Sequence, residues 1–194
     1  IISTDLDFEQ ADRPEPLGDG HGYQHLFVEA KARVLAGGSR RFEWMHERKF
    51  YTLISATQAG DEVMLTRLGA GDPGFNLRRD PGFMVRRTTG GNTTFVHVIE
   101  PHGSYDPVTE RGADIVGQVV KLSVRRWGEG AADPERRKAE TVTVVTFETR
   151  GGGRGRFLWT RETAPDREHR LDVEGETLRW TGPFLYAPPK AARD

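Results

Sequence analysis

Apolar and polar residues alternate along run after run of this chain, and no stretch sustains an apolar repeat of 3.6 residues. A period of two sends every second side chain to the same face of a pleated strand, so this pattern demands half-buried strands packed in sheets. The runs are HLFVEAKARVL (25–35), two within SRRFEWMHERKFYTLISAT (39–57) around charged HERK, DEVMLTRLGA (61–70), GFMVRR (82–87) and TTFVHVIEP (93–101). They continue with DIVGQVVKLSVRRW (114–127), AETVTVVTFETR (139–150), GRFLWT (155–160), HRLDVEGETLRW (169–180) and GPFLYAP (182–188). TTGGN reads as a tight turn joining 82–87 to 93–101, and Glu174-Gly175 as a hairpin turn. The run 139–150 is expected to pair with 114–127 across the polar insert GEGAADPERRK. Within that insert AADPERRKAE is the best helix candidate, but it is short and wholly polar, so a solvated loop is expected. GGGRGR (151–156) should form a hairpin tip, and 189–194 a loose tail. About ten strands at this spacing predict an all-β antiparallel β-sandwich of about ten or more strands in one domain, residues 1–188.

A chain of 194 residues can hold a real core. Only 36% of them are hydrophobic and 29% are charged, which implies a thin core and a wet surface. Lys and Arg number 28 against 29 Asp and Glu, a net charge of -1, so the basic footprint of a nucleic-acid binder is missing. With no cysteine, disulfides, thiol nucleophiles and Cys-based zinc sites are excluded. No run of 18 apolar residues offers a membrane-spanning helix. No signal-peptide pattern is found. The opening IISTDLDFEQ lacks Met and starts like a strand, as expected of a segment of something longer.

Four stretches carry candidate chemistry. In DRPEPLGDGHGYQHL (12–26), read as a loop, His21, Tyr23 and His25 are spaced so that a strand would put them on one face. Two such His suit a metal, but no third carboxylate ligand is evident nearby, and the favoured alternative is that His25 and Leu26 start a strand with Tyr23 packed as a corner residue. RLGAGDPGFNLRRDPGF (67–83) has two turn signals, Asp72-Pro73-Gly74 and Asp80-Pro81, flanking Arg78 and Arg79. An Arg pair on a shaped loop can grip a carboxylate through two parallel hydrogen bonds, or one of the pair can pin its own loop to Asp72 or Asp80. VIEPHGSYDPVTE (98–110) gathers Glu100, His102, Tyr105, Asp106 and Glu110, with the chain expected to turn at His102-Gly103. His is the usual acid or base near neutral pH, yet a turn whose acids cap backbone amides and whose His is hydrogen-bonded in place explains the same residues. Trp44, Trp127, Trp159 and Trp180 lie in strand candidates and are expected in the core; an exposed row of aromatics would instead make a platform for sugar rings. There is no Gly-x-Ser-x-Gly elbow and no His-Glu-x-x-His.

DRPEPLGDGHGYQHL, LGAGDPGFNLRRDPGFMVRR, TTFVHVIEPHGSYDPVTE and GETLRWTGPF together resemble the C-terminal part of exolytic alginate (oligoalginate) lyases, of the heparinase II/III-like polysaccharide lyase superfamily. The resemblance runs from about Asp12 to Phe184, and the ordered blocks 69–79 and 99–110 carry it. It implies a fragment of a larger enzyme in which an N-terminal α/α toroid precedes stacked antiparallel sheets. It implies β-elimination: the uronate carboxylate is neutralised, the C5 proton removed and the C4 oxygen expelled, with preorganised donors stabilising the enolate. The family's Asn-His pair, its catalytic Tyr residues and its His/Asp/His zinc ligands have no counterpart here. No catalytic or metal role is therefore carried onto His21, His25, His102 or Tyr105, and zinc belongs to the parent enzyme, with no cofactor in this fragment.

The reading that follows is a β module that shapes the cleft of an alginate lyase; the alternative is a free-standing carbohydrate-binding module for acidic polysaccharide. Arg78, Arg79, Asn76, His102 and Tyr105 are the candidate substrate-binding residues. Expected partners are alginate or its oligomers and the toroid of the same protein, with a homodimer as a further option and neither nucleic acid nor membrane. A periplasmic or secreted parent is expected.

Overall fold

The computed structural model describes residues 2–3, 5–69, 78–91, 93–127, 141–161 and 164–190. They form fifteen strands and one short 3-10 turn. All the strand pairings are antiparallel. The chain divides into two compact units, Ile1–Val116 and Gly117–Asp194.

The first unit is built from two sheets. One has the order β1 (Ile2–Ser3), β4 (Gly38–His46), β5 (Lys49–Thr57), β8 (His97–Asp106), β9 (Arg111–Ala113); the other runs β2 (Glu9–Pro16), β3 (Leu26–Arg33), β6 (Glu62–Gly69), β7 (Arg78–Arg86). The pleat sorts their side chains. Phe42 faces Leu53 across β4 and β5, and both join Val34, Val63, Phe83 and Val85 in the core between the sheets. The Phe42 and Phe83 rings lie 4.2 Å apart. Glu43 and Thr52, one residue along, face each other on the opposite side of the sheet. The β4–β5 turn is made by Glu47 and Arg48, both with positive φ (46° and 67°), the backbone of a two-residue hairpin achieved here without glycine.

The second unit repeats the principle at smaller scale. A four-stranded sheet, β10 (Val119–Trp127), β11 (Val142–Thr149), β12 (Arg154–Thr160), β15 (Phe184–Lys190), carries a two-stranded hairpin, β13 (Glu168–Val173) and β14 (Glu176–Thr181). Val142, Val144 and Leu158 of the sheet pack on Val173, Leu178 and Trp180 of the hairpin. Beside this core Arg156 is buried and bonds Glu174 and Glu176, and Lys190 bonds Glu176, so charge pins the hairpin where apolar area runs out. The Lys190 ammonium first, then Arg156, holds the Glu176 carboxyl below the usual carboxylate range.

The all-β sandwich-like fold, the pairing of β10 with β11 and the turn at Glu174-Gly175 agree with expectation. Several local readings do not. TTGGN joins no hairpin, because β7 pairs with β6 and β8 with β5, so the link crosses between sheets. Residues 12–16, the start of the stretch expected as a loop, belong instead to β2, whose prolines are tolerated at a sheet edge beside a register shift between Gln10 and Glu15. Asp80-Pro81 is no turn either; it lies inside β7, also an edge strand. β15 runs on to Lys190, two residues into the stretch expected as a tail, and the AADPERRKAE insert lies outside the described residues.

Where β6 begins and β7 ends, a charge pair closes the sheet. Arg87 Nε donates to Asp61 Oδ1 at 2.7 Å and Nη2 to Oδ2 at 2.6 Å, with the side chains 8% and 1% exposed. The Gln58 amide adds a third bond to the same carboxylate at 2.8 Å. Burial pushes the Asp61 carboxyl up, but these bonds and the guanidinium charge outweigh it, and the group sits below its usual value. Such a carboxylate contributes stability above about pH 4, where the unfolded chain ionises too, and loses it as pH falls through the lower native value. Asp61→Ala strands Arg87 and should cost about 3–5 kcal/mol at pH 7. Urea titrations across pH are the check, with wild type and variant converging in acid.

Candidate functional site

The polar face of the five-stranded sheet is assembled by register. Glu43 on β4 sits opposite Thr52 on β5, and Phe50, two residues before Thr52, sits opposite His102 on β8. Thr52 is buried, and its Oγ1 lies 2.9 Å from His102 Nε2. The same hydroxyl lies 3.3 Å from Glu43 Oε1, which accepts Arg41 Nε at 3.0 Å and Arg41 Nη2 as well. The other nitrogen of His102, Nδ1, lies 2.8 Å from the Asp114 carbonyl, and the ring stacks on Phe50 at 6.3 Å.

One glycine makes this geometry. Between Lys49↔Ser104 and Phe50↔His102 the register slips, leaving Gly103 as an extra residue with φ +52. This is a bulge with a left-handed glycine. Residues three apart on a regular strand face opposite ways, so the inserted residue puts His102 and Tyr105 on the same face. A side chain at Gly103 would collide with the Ala113 and Asp114 carbonyls. The bare backbone thus lets the 113–114 segment approach until the Asp114 carbonyl reaches the imidazole.

The hydrogen-bond inventory then fixes the proton positions. A carbonyl only accepts, so His102 Nδ1 carries a proton, and in the neutral ring Nε2 accepts from the Thr52 hydroxyl. In the imidazolium Nε2 donates to Thr52 Oγ1, and the single hydroxyl proton turns to Glu43. Both ring nitrogens are engaged in either state. The face holds the imidazole at both nitrogens and does not present a free one.

The other expected residues fall as follows. Tyr105 is half-buried on β8, with its amide bonded to the Arg48 carbonyl at 2.8 Å. The turn expected at His102-Gly103 is instead strand continuing to Asp106, and the reversal comes at Pro107–Glu110. There Asp106 accepts the Val108 amide and the Thr109 hydroxyl, each at 2.9 Å. The Val108 amide first, then that hydroxyl, holds the Asp106 carboxyl below its usual value. Arg78 opens β7, in the other sheet, so the two sequence blocks do not share a sheet. Asn76 lies outside the described residues, as do the side chains of Arg78 and Arg79. His21 and His25 do not share a strand, because Tyr23–His25 is a 3-10 turn. Among the described residues no three His, Asp or Glu side chains converge as metal ligands. Arg41, Glu43 and Thr52 were missed: only the alternation of RFEWMHERKFYT hinted that they share a face.

Thr52→Val keeps the shape but removes the hydroxyl shared by His102 and Glu43, and should cost about 1–3 kcal/mol, while Thr52→Ser should be nearly neutral. Gly103→Ala should lose more than the roughly 1–2 kcal/mol of a left-handed non-glycine residue, since the 113–114 carbonyls must also move. Chemical denaturation of the three variants beside wild type measures both.

No family model matches the chain. It is 32% identical over 185 residues to a protein named alginate lyase from Stenotrophomonas maltophilia (strain K279a), a match covering 94% of this chain and 23% of that one. It is 28% identical over 169 residues to one named exo-oligoalginate lyase from Saccharophagus degradans, covering 86% of this chain and 21% of the relative. The chain thus spans under a quarter of the length of these curated relatives.

Proposed function

We propose that the chain is the C-terminal β module of an alginate lyase, residues 1–188, and that it shapes the uronate cleft rather than supplying the main catalytic residues. The similarity to proteins named as alginate lyases supports the module, and because one alignment spans 185 residues it takes in both compact units. The observation that carries the non-catalytic role is the imidazole of His102, held at both nitrogens by Thr52 and the Asp114 carbonyl. A general base must have a ring nitrogen open to the proton it removes, and this one is committed to the fold.

In this reading the reaction removes the C5 proton of a uronate and expels the C4 oxygen, using residues of a helical toroid in the same protein. The polar sheet face and the Arg78–Arg79 strand end supply walls and cations to that cleft, and the substrate is alginate or its oligomers.

The 194-residue chain alone, mixed with alginate oligomers, should give no rise in the ultraviolet absorbance of unsaturated uronate. In the full-length protein His102→Ala should lower stability while turnover per folded molecule stays within a few-fold of wild type. Losing the roughly 10²–10⁴-fold that a general acid or base supplies, with folding intact, would place His102 in the chemistry.

A further inference from the structure

Residues 114–118 lead from β9 to β10, and the boundary between the two compact units falls among them, after Val116. Such a connector is ordinarily held by little, because it runs outside both sheets and has no neighbouring strand to bond it. This one is tied at both ends. At its far end the Gln118 carbonyl accepts the Arg150 amide at 2.7 Å, a backbone bond made within the second unit. At its near end the tie is a side chain, with the Asp114 carbonyl 2.8 Å from His102 Nδ1. Between the two ties Ile115 and Val116 are 52% and 43% exposed.

The near end is shaped for its contact. Asp114 has φ +50, the left-handed region, which a residue with a side chain keeps only where its surroundings hold it there. Two glycines give the segment room. A side chain at Gly103 would strike the Ala113 and Asp114 carbonyls, and one at Gly112 would strike Ile115. Ile115 thus lies back over Gly112, which the Phe50 ring also approaches, and that ring stacks on His102. The imidazole is fixed in turn by the buried Thr52, 2.9 Å from Nε2, on the central strand of the sheet. A line of contacts therefore runs from the middle of the first unit, through one ring, to the backbone of the connector.

We propose that His102 is the anchor of this connector: its Nδ1–H holds Asp114 in the left-handed conformation and so fixes where, and in which direction, the chain leaves the first unit. A carbonyl only accepts, so the role requires a proton on Nδ1. His102 is then a positioning residue that acts through the backbone of Asp114. Without it, residues 114–116 come away from β8 while the sheets stay paired. The far tie is made by backbone alone, so the near end is the one that a single substitution releases. The role holds whatever the parent protein acts on.

Thermolysin, which cuts before Ile and Val, reads the freedom of this segment, since its rate under native conditions follows the fraction of molecules in which the segment has opened. The 194-residue chain is digested beside three variants, and mass spectrometry places the cuts. His102→Ala should be cut within residues 114–116 about three- to tenfold faster than wild type, as expected for the loss of one hydrogen bond. His102→Asn, whose amide can donate to the same carbonyl, should recover most of the protection. Thr52→Val leaves the Nδ1 bond in place and should stay within about twofold of wild type at this site, although it lowers global stability. Equal cutting of His102→Ala and wild type overturns the anchor. So does equal acceleration in Thr52→Val, or a folded His102→Asn that recovers nothing. Nitrogen NMR of wild type, at a pH where the ring is neutral, gives a reading that needs no variant. The Nδ1-protonated tautomer is expected, and a ring protonated at Nε2 instead leaves the Asp114 carbonyl without its donor and overturns the proposal.

Discussion

A pleated strand presents its side chains alternately to two faces, and in this protein both faces are used. On β5 the odd positions Tyr51, Leu53 and Ser55 turn with Phe42 toward the core, while Phe50, Thr52 and Ile54 turn with Glu43 and His102. A one-residue slip of β4 against β5 would put Glu43 beside the core and Phe42 on the polar face, so the apolar stripe and the hydrogen-bonded network specify the same register. The network around His102 is thus a consequence of core packing on the other side of the same sheet.

Departures from regular pairing carry the rest. The Gly103 bulge shifts the facing of everything after His102 and opens room for the Asp114 carbonyl. A similar device acts in the second unit, where Gly155 leaves a gap that the Phe147 ring fills. In both places a glycine is needed for the close approach of a neighbour, and in both it aligns side chains that regular strands would have kept apart.

A thin core also explains why so many charges are tied down. Asp61 and Arg87 are buried as a bidentate pair, with Arg87 over the Phe95 ring at 5.1 Å, and Arg156 is buried against two glutamates. Where apolar area is scarce, a satisfied ion pair fixes geometry that packing alone would leave loose, although its net contribution to stability is modest compared with the cost of breaking it.

Strand existence was legible in the sequence, because alternation is local: β3, β5, β6, β10, β11 and the β13–β14 hairpin all follow from residues within a few positions of one another. The Glu174-Gly175 turn was legible because glycine adopts positive φ freely; Glu47-Arg48 was harder to read because two non-glycine residues do the same work there. What lay beyond the sequence was partnership. TTGGN looked like a hairpin and is a crossing, since strand pairing is decided by which sheet has an unfilled edge. His102 and Tyr105 were singled out by residue type, but the company of His102, Thr52 and Glu43 from two other strands and the Asp114 carbonyl, depends on register across about 60 residues. Local chemistry therefore determined which segments are strands and which faces they own, while only the tertiary structure decided which faces meet, because backbone hydrogen bonds and burial are satisfied between segments that the sequence keeps apart.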